Sequence, residues 1–482
     1  MRVAHCVADI RAAESALMAT LPDGALMQRA ATGLAVACAR RLGQVYGARV
    51  VLLVGAGNNG ADALWAGAQL AARGAAVTAV PVGAPVADAL AALRNAGGRV
   101  GDVSDLDEAD LVVDGMVGIG GRGALRAEAA ALAVEGEHVV AVDVPSGVDA
   151  DTGAVHGPAV RAGLTVTFGT NKPGLHLGAG RAHAGTVELV DIGLSPYLPA
   201  PQVELLGDLD VALALPVPAT TSDKFTRGVL GVAAGSEQYG GAAVLAVGAA
   251  LRAGAGMVRY VGAERTADQV RARWPEAVVT TVRPGDSGQG DAVVGAGRVQ
   301  AWVVGPGLGT NAAAAQVVEA ILAQDVPVLV DADALTVCAE HPDWLRNRTA
   351  PTLLTPHDRE FARFGRDVGE DRAGAARALA ADLGVTVLLK GDATVIADAG
   401  GPVRVNTTGT ALLATAGSGD VLAGAAAALL AQGLTPLVAG SVAAHLHGLA
   451  ATASRAGSPT SASLLLEAWS EAVAAVRAGT LG

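Results

Sequence analysis

The chain has 482 residues, of which 51% are hydrophobic and 17% charged, and its formal net charge is −12. An acidic chain lacks the basic surface that nucleic-acid binding requires, and its apolar runs fall short of the roughly 18 to 20 residues of a transmembrane helix. We therefore expect no nucleic-acid and no membrane partner. Three scattered cysteines make neither a disulfide framework nor a metal site. With no visible signal peptide, we expect a cytoplasmic protein.

The length predicts two domains, because one hydrophobic core rarely serves more than about 250 to 300 residues. In both halves, continuous apolar strands alternate with alanine-rich helices, which is typical of parallel sheets covered on both faces. Between the halves, residues 195–222 are rich in proline and acidic residues and lack a sustained period. The sequence therefore predicts an α/β protein with domains at 1–208 and 209–482.

The first half opens with residues 1–45, whose apolar spacing predicts helix. A buried strand then leads into GAGNNGAD at 55–62, which has the spacing of a dinucleotide fingerprint but carries two asparagines. Asp114 and Ser146 follow neighbouring predicted strands. Oxygen ligands from separate strand ends suit a hard cation rather than zinc. The alternative, in which the asparagines only cap a helix, is equally compatible with the spacing.

Lysine is scarce in this chain. Of the 34 basic residues only three are lysines, namely Lys172, Lys224 and Lys390. A compact ammonium on a slim stem can do what a guanidinium cannot, so we expect these lysines to have functions. The alternative is that they remain by drift.

In the second half, four glycine-rich or polar turns follow predicted strands. They are GPGLG at 305–309, DAD at 331–333, TPH at 355–357 and KGDAT at 390–394. Because ligands of open α/β sheets bind at the carboxyl ends of the strands, we expect these turns to converge on one edge. Lys390 and Gly391 could position nucleotide phosphates or ribose. Asp331 and Asp333 could bind magnesium through water, although stabilising a turn explains them equally well.

The segment GSGD at 417–420 contains more glycine than an ordinary helix start needs. Gly417 and Gly419 precede a predicted helix whose free N–H groups and positive dipole end suit a phosphate. Asp420 could take a proton from a substrate hydroxyl there. The alternative is that Asp420 only caps the helix.

These second-half motifs resemble the ADP-dependent NAD(P)H-hydrate dehydratases, which have a ribokinase-like fold. The motifs are GPGLG, DADAL, LTPH, LKG-x-x-T and GSGDVLAG, and the resemblance spans 209–482. It implies that the hydrated nicotinamide lies near Ala242, Gly309, His357 and Asp420. It implies that the adenine nucleotide lies near Lys390, Gly391, Asp392, Ala393, Thr394 and Gly419. The family usually has TPHPGE where this chain has TPHDRE at 355–360.

The first half resembles the NAD(P)H-hydrate epimerases, in NNGAD, VVDGMVGIGGRG, AVDVPSGVDADTG and TVTFG-x-x-K-x-G. The resemblance implies a Rossmann-like three-layer sandwich with potassium held by Asn59, Asp114 and Ser146. It implies that the hydrate contacts Asn58, Asn59, Gly60, Ala61, Asp62, Gly118, Ile119, Gly120, Gly121, Arg122, Gly123, Ala124 and Asp143. Asp143 and Lys172 are our candidates for catalysis. Ala61 and Ala63 replace usual glycines, which predicts less backbone freedom and weaker binding.

Together the two resemblances imply a bifunctional enzyme, a lyase and isomerase that repairs hydrated NADH and NADPH. ADP would be the co-substrate, giving AMP and phosphate, with magnesium and potassium as ions, and we expect a homo-oligomer. One alternative is a ribokinase-like small-molecule kinase with an unrelated first domain. Another is a ligand-binding protein whose first domain has lost activity.

Overall fold

A computed structural model of the chain describes residues 1–282, 289–454 and 459–479. The chain divides into two compact units, one formed by residues 2–203 and the other by Met1 with residues 204–482. Position 208, which we predicted as the domain boundary, is the first residue of a helix in the second unit. Within the described ranges, we find no helix with both the length and the apolarity needed to cross a membrane.

The first unit alternates strands and helices. In chain order its elements are β1 (Arg2–Ala4), α1 (Val7–Met18), α2 (Ala25–Leu42), β2 (Arg49–Val54), α3 (Asn58–Ala72), β3 (Ala76–Pro81), α4 (Ala87–Asn95), β4 (Arg99–Val100), β5 (Leu111–Gly115), α5 (Ala127–Ala130), β6 (Glu135–Val142), β7 (Arg161–Phe168), α6 (Gly178–Ala184) and β8 (Thr186–Val190). A short strand, β9 (Val203–Leu205), lies at the division between the units.

The sheet of the first unit is parallel, in the order β4-β3-β2-β5-β6-β7-β8. Alternate residues of β2 enter different cores. Val50 and Leu52 pack with residues of α1 to α4 on one face, and Val51 and Leu53 pack with α5 on the other. The strand order reverses between β2 and β5, and such a switch point opens a crevice at the carboxyl ends of the strands.

The prediction of helix over residues 1–45 is only partly correct. The chain begins with the short strand β1, and the helical region is interrupted between Met18 and Ala25. Gly24 has a φ of 78°, a left-handed conformation that ends helical continuity and that glycine adopts without strain. Apolar periodicity could not locate this break, because the residues on both sides keep helical spacing.

The second unit follows the same alternation. After β9 its elements are α7 (Asp208–Ala214), β10 (Val229–Ala233), α8 (Gly240–Arg252), β11 (Met257–Ala263), α9 (Glu264–Arg273), β12 (Val278–Val282), α10 (Gln289–Gly295), β13 (Ala301–Val304), α11 (Ala312–Leu322), β14 (Val328–Val330), α12 (Asp333–Glu340), α13 (Asp343–Arg346), β15 (Thr352–Leu354), α14 (Asp358–Ala362), α15 (Arg372–Leu383), β16 (Thr386–Leu389), β17 (Val395–Ala397), β18 (Val403–Val405), α16 (Ser418–Ala431), α17 (Pro436–Ala453) and α18 (Ala462–Ala478).

The sheet of the second unit has the order β9-β18-β17-β16-β15-β14-β13-β10-β11-β12. It is parallel from β16 to β12, and β17 and β18 continue it in antiparallel pairing. Its switch point lies between β10 and β13. The predicted α/β class with two domains is therefore confirmed.

The core of the second unit is built mainly from small residues. Helices α8, α16, α17 and α18 share one cluster in which alanine is the commonest side chain. A Cβ at Gly424 of α16 would lie 2.2 Å from the backbone oxygen of Ala246 in α8. The two helices can approach this closely only because Gly424 has no side chain, and this contact places the start of α16 beside the carboxyl ends of the strands.

Candidate active sites

In the second unit, the predicted turns do meet at one edge of the sheet. The GPGLG turn follows β13, the DAD segment follows β14, the TPH segment follows β15 and Lys390 follows β16. These strands are neighbours in the sheet, so their carboxyl ends are adjacent. The edge therefore collects the carboxylates, the lysine and the glycine turns that the sequence predicted to converge.

Helix α16 begins at this edge with an open N-terminus. Gly417 is the residue before the helix and has a φ of 83°, which favours glycine. Among the residues that the structure describes, no side chain caps this helix. Asp420 is the third helical residue, so it is not the N-cap that we considered as an alternative. The N–H of Ser418 donates to the backbone oxygen of Thr415 at 3.3 Å, so the N–H groups of Gly419 and Asp420 are the ones that face the helix start and suit an anion.

Lys390 is the central cation of this edge. Its Nζ donates to Oδ1 of Asp331 at 2.9 Å and lies 3.5 Å from Oε2 of Glu360. A Cβ on Gly419 would lie 3.6 Å from the same Nζ, which puts the ammonium beside the first turn of α16. Burial lowers the pKa of Lys390, but Asp331 and Glu360 outweigh it and the pKa is raised. The lysine therefore stays charged next to the open helix end.

The backbone between the two aspartates of the DAD segment is strained. Ala332 has a φ of 50°, which is unusual for a residue with a side chain. On one side of it, Asp331 accepts from Lys390 and from the hydroxyl of Thr355 at 2.7 Å. On the other side, Asp333 Oδ2 accepts from the backbone N–H of Gly309 at 2.8 Å. The strained turn directs both carboxylates to the same edge.

Asp420 has the electrostatic environment of a proton acceptor. The pKa of Asp420 is raised to about 7, first by burial and then by the nearby Asp331 and Asp333, while Lys390 opposes the rise. A carboxyl with a pKa near neutrality can both accept and release a proton under ordinary conditions. This carboxyl lies at the open end of α16, beside the position that suits an anion.

Residues that the resemblance places near the hydrated nicotinamide lie around the same edge. Cβ of Ala242 in α8 would lie 3.0 Å from a Cβ added to Gly307 of the GPGLG turn. Gly309 is held by Asp333. His357 precedes α14, and its Nδ1 accepts from the backbone N–H groups of Arg359 and Glu360. The structure therefore brings Ala242, Gly309, His357 and Asp420 to one end of the sheet.

The predicted nucleotide segment, residues 390–394, is supported from behind by Arg372. Its guanidinium donates to the backbone oxygen of Lys390 at 2.9 Å and makes two hydrogen bonds to Asp358, at 3.0 and 2.9 Å. A Cβ on Gly391 would lie 2.7 Å from the guanidinium, so a larger residue there would require the Arg372 side chain to shift. Within the segment, the hydroxyl of Thr394 donates to the backbone oxygen of Gly391 at 3.2 Å. Asp358 is one of the positions at which this chain departs from the family motif.

Sequence reasoning placed Thr355 in a turn at this edge but gave no role to Thr355, Glu360 or Arg372. Glu360 is buried, and its carboxylate accepts from the backbone N–H of His357 at 2.9 Å while it also faces Lys390. The spacing of His357 and Glu360 is that of a capping box, which is a signal that could have placed Glu360. Arg372 lies outside any motif, and only the tertiary structure reveals its role.

In the first unit, two glycines allow close approach at the switch point. A Cβ on Gly55 would lie 1.9 Å from the backbone oxygen of Met116, and one on Gly60 would lie 2.1 Å from the backbone oxygen of Gly55. These contacts bring the start of α3 against the end of β5. Gly55 and Gly60 therefore allow the backbone segments at the crevice to pack closely together.

Asp114 and Ser146, two of the three predicted potassium ligands, are in direct contact. The backbone N–H of Ser146 donates to Asp114 Oδ2 at 2.8 Å, and the hydroxyl of Ser146 donates to Oδ1 at 2.6 Å. The third, Asn59, donates through Nδ2 to the backbone oxygen of Val142 at 2.8 Å. Its Oδ1 would lie 2.6 Å from a Cβ added to Gly118. All three side chains lie at the carboxyl ends of neighbouring strands or at the start of α3.

These oxygens fit a monovalent cation. Asp114 is 0% exposed, and burial raises its pKa to about 6 although hydrogen bonds from Ser146 and Met116 oppose the shift. Within the described part of the chain, no basic side chain forms an ion pair with it. A buried carboxylate without a counter-charge is destabilising, and a cation bound by oxygens would supply that charge. In the same ranges no group of histidine, cysteine and acidic residues could hold a transition metal.

Asp143 is the second residue with an unusual backbone, with a φ of 66° at the end of β6. Its Oδ1 accepts from Lys172 Nζ at 2.5 Å, from the hydroxyl of Thr167 at 3.1 Å and from the backbone N–H of Phe168 at 3.2 Å. Strain of this kind often marks a functional position. The hydrogen bonds all fall on Oδ1, which leaves Oδ2 for a ligand.

Lys172 is 1% exposed, and its ammonium has three hydrogen bonds. Besides Asp143 it donates to the hydroxyl of Thr167 at 3.0 Å and to the backbone oxygen of Phe168 at 2.9 Å. An ammonium has three donors, so none remains for a substrate in this arrangement. The structure thus places Lys172 behind Asp143. By contrast, Lys224 is exposed and lies 5.3 Å from the ring of Phe225.

The predicted substrate loop, residues 118–124, follows β5 and begins beside Asn59. It contains a tight turn in which Gly121 donates to the backbone oxygen of Gly118 at 2.9 Å. Arg122, Gly123 and Ala124 at its end are exposed, whereas Ile119 is half-buried. A Cβ on Gly120 would lie 3.4 Å from the guanidinium of Arg11 in α1. The loop and α1 are therefore neighbours.

Ala61 and Ala63 do not restrict the backbone as we predicted. Both are buried inside α3, where the helical conformation suits alanine. The non-glycine residues with positive φ in the described ranges are Asp143 and Ala332. Within α3, Asn58 is exposed, Asn59 half-buried and Asp62 buried. The weaker binding that we inferred from the two alanines stays a prediction.

Sequence reasoning also missed Glu14 and Arg11 of α1. The pKa of Glu14 is raised, first by burial and then by Asp143, while Lys172 and Arg11 lower it. A helix that precedes all the motifs gave no sign of reaching the crevice. The only available signal was the three-residue spacing of Arg11 and Glu14, which puts them on one helix face.

In comparisons with known proteins, each of the two units matches a different family. A family described as NAD(P)H-hydrate dehydratase matches residues 230–470, and a family described as YjeF-related protein N-terminus matches residues 23–174. A crystal structure of a ribokinase-like superfamily protein from Enterococcus faecalis V583 is similar with a TM-score of 0.52 and 26% identity, and the match covers 58% of this chain and 98% of that one.

Two relatives extend over nearly the whole chain. The bifunctional NAD(P)H-hydrate repair enzyme Nnr of Mycobacterium leprae is 51% identical, and the match covers 99% of this chain and 100% of that protein. The protein of the same name from Mycobacterium tuberculosis H37Rv is 52% identical, with 90% of each chain covered. The chain therefore belongs to the family of bifunctional NAD(P)H-hydrate repair enzymes.

Proposed function

We propose that this chain repairs hydrated NADH and NADPH in two steps on two units. The first unit interconverts the R and S hydrates, and the second dehydrates the S hydrate at the expense of ADP. The observation that carries the proposal is the edge around α16, where Asp420, with its pKa near 7, adjoins an uncapped helix start and the charged Lys390. Family membership and the names of the full-length relatives support the same conclusion.

In the dehydratase, Asp420 as a carboxylate removes the proton of the substrate hydroxyl, and the hydroxyl oxygen attacks the terminal phosphorus of ADP. The bond from that phosphorus to AMP breaks while the first N–H groups of α16 stabilise the charge on the phosphoryl oxygens. The carbon–oxygen bond then breaks, and phosphate leaves with the electron pair. Loss of a proton from the neighbouring ring carbon restores the dihydronicotinamide.

Other residues of this edge would bind and orient the reactants. The nucleotide would lie along residues 390–394 and Gly419, and the nicotinamide near Ala242, Gly309 and His357. Asp331 and Asp333 would hold magnesium through water, and magnesium would neutralise phosphate charge. Their carboxylates already face this edge, which supports the assignment.

In the epimerase, the hydrate would lie between residues 58–62 and residues 118–124, with Asp143 facing its ring. Asn59, Asp114 and Ser146 would hold potassium, which would supply the positive charge that Asp114 lacks. Lys172 would act as a positioning residue that holds the Asp143 carboxylate in place, since all three of its donors are engaged. The two units then act on the same damaged cofactor, so the epimerase supplies whichever hydrate the dehydratase accepts.

NADH, NADPH and ADP are metabolites of the cytoplasm, and we place the reaction there. We also propose that the protein is a homo-oligomer, which light scattering on the purified chain tests. A single species at the mass of one chain would contradict the oligomer.

The function is tested by the absorbance of reduced nicotinamide. A mixture of R and S hydrates is incubated with the full chain, ADP, magnesium and potassium. We expect complete recovery of NADH or NADPH, which requires both activities. Recovery that stops at the S fraction would contradict the epimerase half, and no recovery would contradict the dehydratase half.

A further inference from the structure

One buried acid of the first unit, Asp62, is expected to contact the hydrate but has no chemical role in the account so far. Asp62 is 7% exposed, and its Oδ1 is fully buried without a hydrogen-bond partner among the residues that the structure describes. An ionised carboxylate there would lose its hydration and gain no hydrogen bond in return. Asp62 is therefore held as a neutral carboxylic acid.

Asp62 faces the same crevice as Asp143. Asn59 lies one turn earlier in α3, and its Nδ2 donates to the backbone oxygen of Val142, the residue before Asp143. Side chains three positions apart lie on one face of a helix, so Asp62 points towards the same end of β6. Burial raises the pKa of Asp62 well above its ordinary value, and the charges of Asp143 and Glu14 raise it further.

Other charged groups lie close to Asp62 at this crevice. Three carboxyl groups, those of Asp62, Asp143 and Glu14, face two cations, Lys172 and Arg11. Asp143 pairs directly with Lys172 at 2.5 Å. Glu14 lies near both Lys172 and Arg11. Of the three carboxyls, Asp62 is the one with a buried oxygen that has no hydrogen-bond partner among the described residues, and this environment favours its protonated form.

We propose that Asp62 is the proton donor and Asp143 the proton acceptor of the epimerisation. This inference rests on the proposed function of the first unit, and it deepens that function by assigning the acid and the base. Asp62 donates through its carboxylic acid, and Asp143 accepts through Oδ2, the oxygen that its neighbours leave without a hydrogen bond.

The step inverts the ring carbon that bears the hydroxyl. Asp62 protonates the hydroxyl oxygen as the carbon–oxygen bond breaks, water leaves with the electron pair, and the adjacent ring nitrogen shares its lone pair with the carbon. Water then adds to the opposite face, a new carbon–oxygen bond forms, and Asp143 accepts the proton that this water loses. Return of the proton from Asp143 to Asp62 completes the cycle.

The experiment compares Asp62→Asn with wild type in the full chain. Epimerisation of R hydrate is followed by chiral chromatography without ADP, and dehydration of S hydrate is followed separately with ADP and magnesium. We expect Asp62→Asn to lower kcat for epimerisation by about 10²- to 10⁴-fold with little change in KM, because general acid catalysis contributes that much. Asp88→Asn, at an exposed position of α4, is the matched control and keeps both activities.

The pH profile separates an acid from a binding residue. In the wild type, kcat for epimerisation falls at alkaline pH as Asp62 loses its proton, and in Asp62→Asn this fall disappears. Asp62→Glu keeps a carboxylic acid, so we expect it to be at least about tenfold more active than Asp62→Asn. A raised KM with wild-type kcat in Asp62→Asn, or equal losses in both variants, would overturn the inference. A wild-type chain that does not epimerise at all would instead refute the proposed function.

Discussion

Both units place a lysine beside an aspartate at the carboxyl end of a strand, but the two pairs differ in what surrounds them. Lys172 is 1% exposed, and its three donors are bound to Asp143, Thr167 and the backbone of Phe168. The side chain of Lys390 is 19% exposed, is shared between Asp331 and Glu360 and adjoins the open start of α16.

The difference indicates two kinds of chemistry. Around Lys390, a cation and free N–H groups face the same space, which suits the transfer of a charged phosphoryl group. Around Lys172, carboxyls outnumber cations and the ammonium is fully engaged, which suits transfer of a proton rather than transfer of a phosphoryl group. The environment of Lys390 therefore suits phosphoryl transfer, whereas that of Lys172 suits proton transfer.

The largest effect is expected at Asp420. Changing Asp420→Asn removes the proton acceptor and leaves the side-chain shape, so dehydration of S hydrate should fall by about 10²- to 10⁴-fold in kcat. Epimerisation of R hydrate by the same protein should stay normal, which shows that the chain is folded. Asp268→Asn, at an exposed position of α9, is the control. Dehydration within about threefold of wild type would remove Asp420 from the chemistry.

The lysines give the next test, because each can be changed to methionine. Lys172→Met leaves Asp143 buried and unpaired, which should destabilise the first unit by about 3–5 kcal/mol and abolish epimerisation. Lys390→Met should raise the KM for ADP by at least about tenfold, since a charged hydrogen bond to phosphate is worth roughly 1.5–3 kcal/mol. Calorimetry and steady-state kinetics measure these effects.

Lys224→Met is the matched control for both variants, since Lys224 is exposed. It should change neither activity nor melting temperature. If Lys172→Met impaired dehydration as much as epimerisation, it would be wrong to assign epimerisation to the Lys172–Asp143 pair and dehydration to the Lys390–Asp331 pair.

The pH dependence sharpens the contrast from the dehydratase side. Burial raises the pKa of Asp420 to about 7, and the carboxylate is the active form. Below that pH, kcat/KM for dehydration should therefore fall about tenfold per pH unit, and it should level off above it. The assay is run between about pH 5 and pH 8 with S hydrate and ADP. A flat profile over that range would contradict the role of Asp420 as the base.

Potassium should act on the first unit alone. Binding at Asn59, Asp114 and Ser146 should stabilise that unit by about 1.4 kcal/mol at ten times Kd. Differential scanning calorimetry in potassium chloride and in choline chloride of equal ionic strength measures the shift. Asp114→Asn should lose it. An equal shift in that variant would place the cation elsewhere.

The smallest effect is expected behind the nucleotide segment. Arg372→Ala breaks the hydrogen bond to the backbone of Lys390 as well as the pair with Asp358, whereas Asp358→Ala breaks only the pair. The KM for ADP should rise by less than about fivefold in both variants, and more in Arg372→Ala, because a partly exposed ion pair contributes at most about 1 kcal/mol. A larger rise in Asp358→Ala would contradict this order.

Much of the fold could be predicted because its strands are short apolar runs that end in glycine or polar turns. The convergence of the GPGLG turn, Asp331, His357 and Lys390 followed from parallel topology alone. The position of Asp420 as the third residue of α16 rather than its cap could not be predicted, because it depends on the left-handed conformation of Gly417. The kinase alternative is not supported, since the full-length relatives cover both halves.

Tertiary contacts account for what the sequence could not indicate. Arg372 reaches residues 390–394 from a helix that precedes them, and Glu14 reaches the first crevice from a helix outside every motif. The three hydrogen bonds of Lys172 could not be predicted either. The scarcity of lysine indicates that this residue matters, but not whether its ammonium is free to bind a substrate. Among the described residues, Oδ1 of Asp62 has no hydrogen-bond partner. This could be recognised only once the burial of α3 was known.

The central claim is that the phosphoryl group of ADP lies at the start of α16, beside Asp420, during its transfer. A crystal structure of the full chain with ADP and magnesium tests it most directly. We predict phosphate oxygens within hydrogen-bond distance of the backbone N–H groups of Gly419 and Asp420. A nucleotide whose phosphates lie away from that helix start would contradict the account.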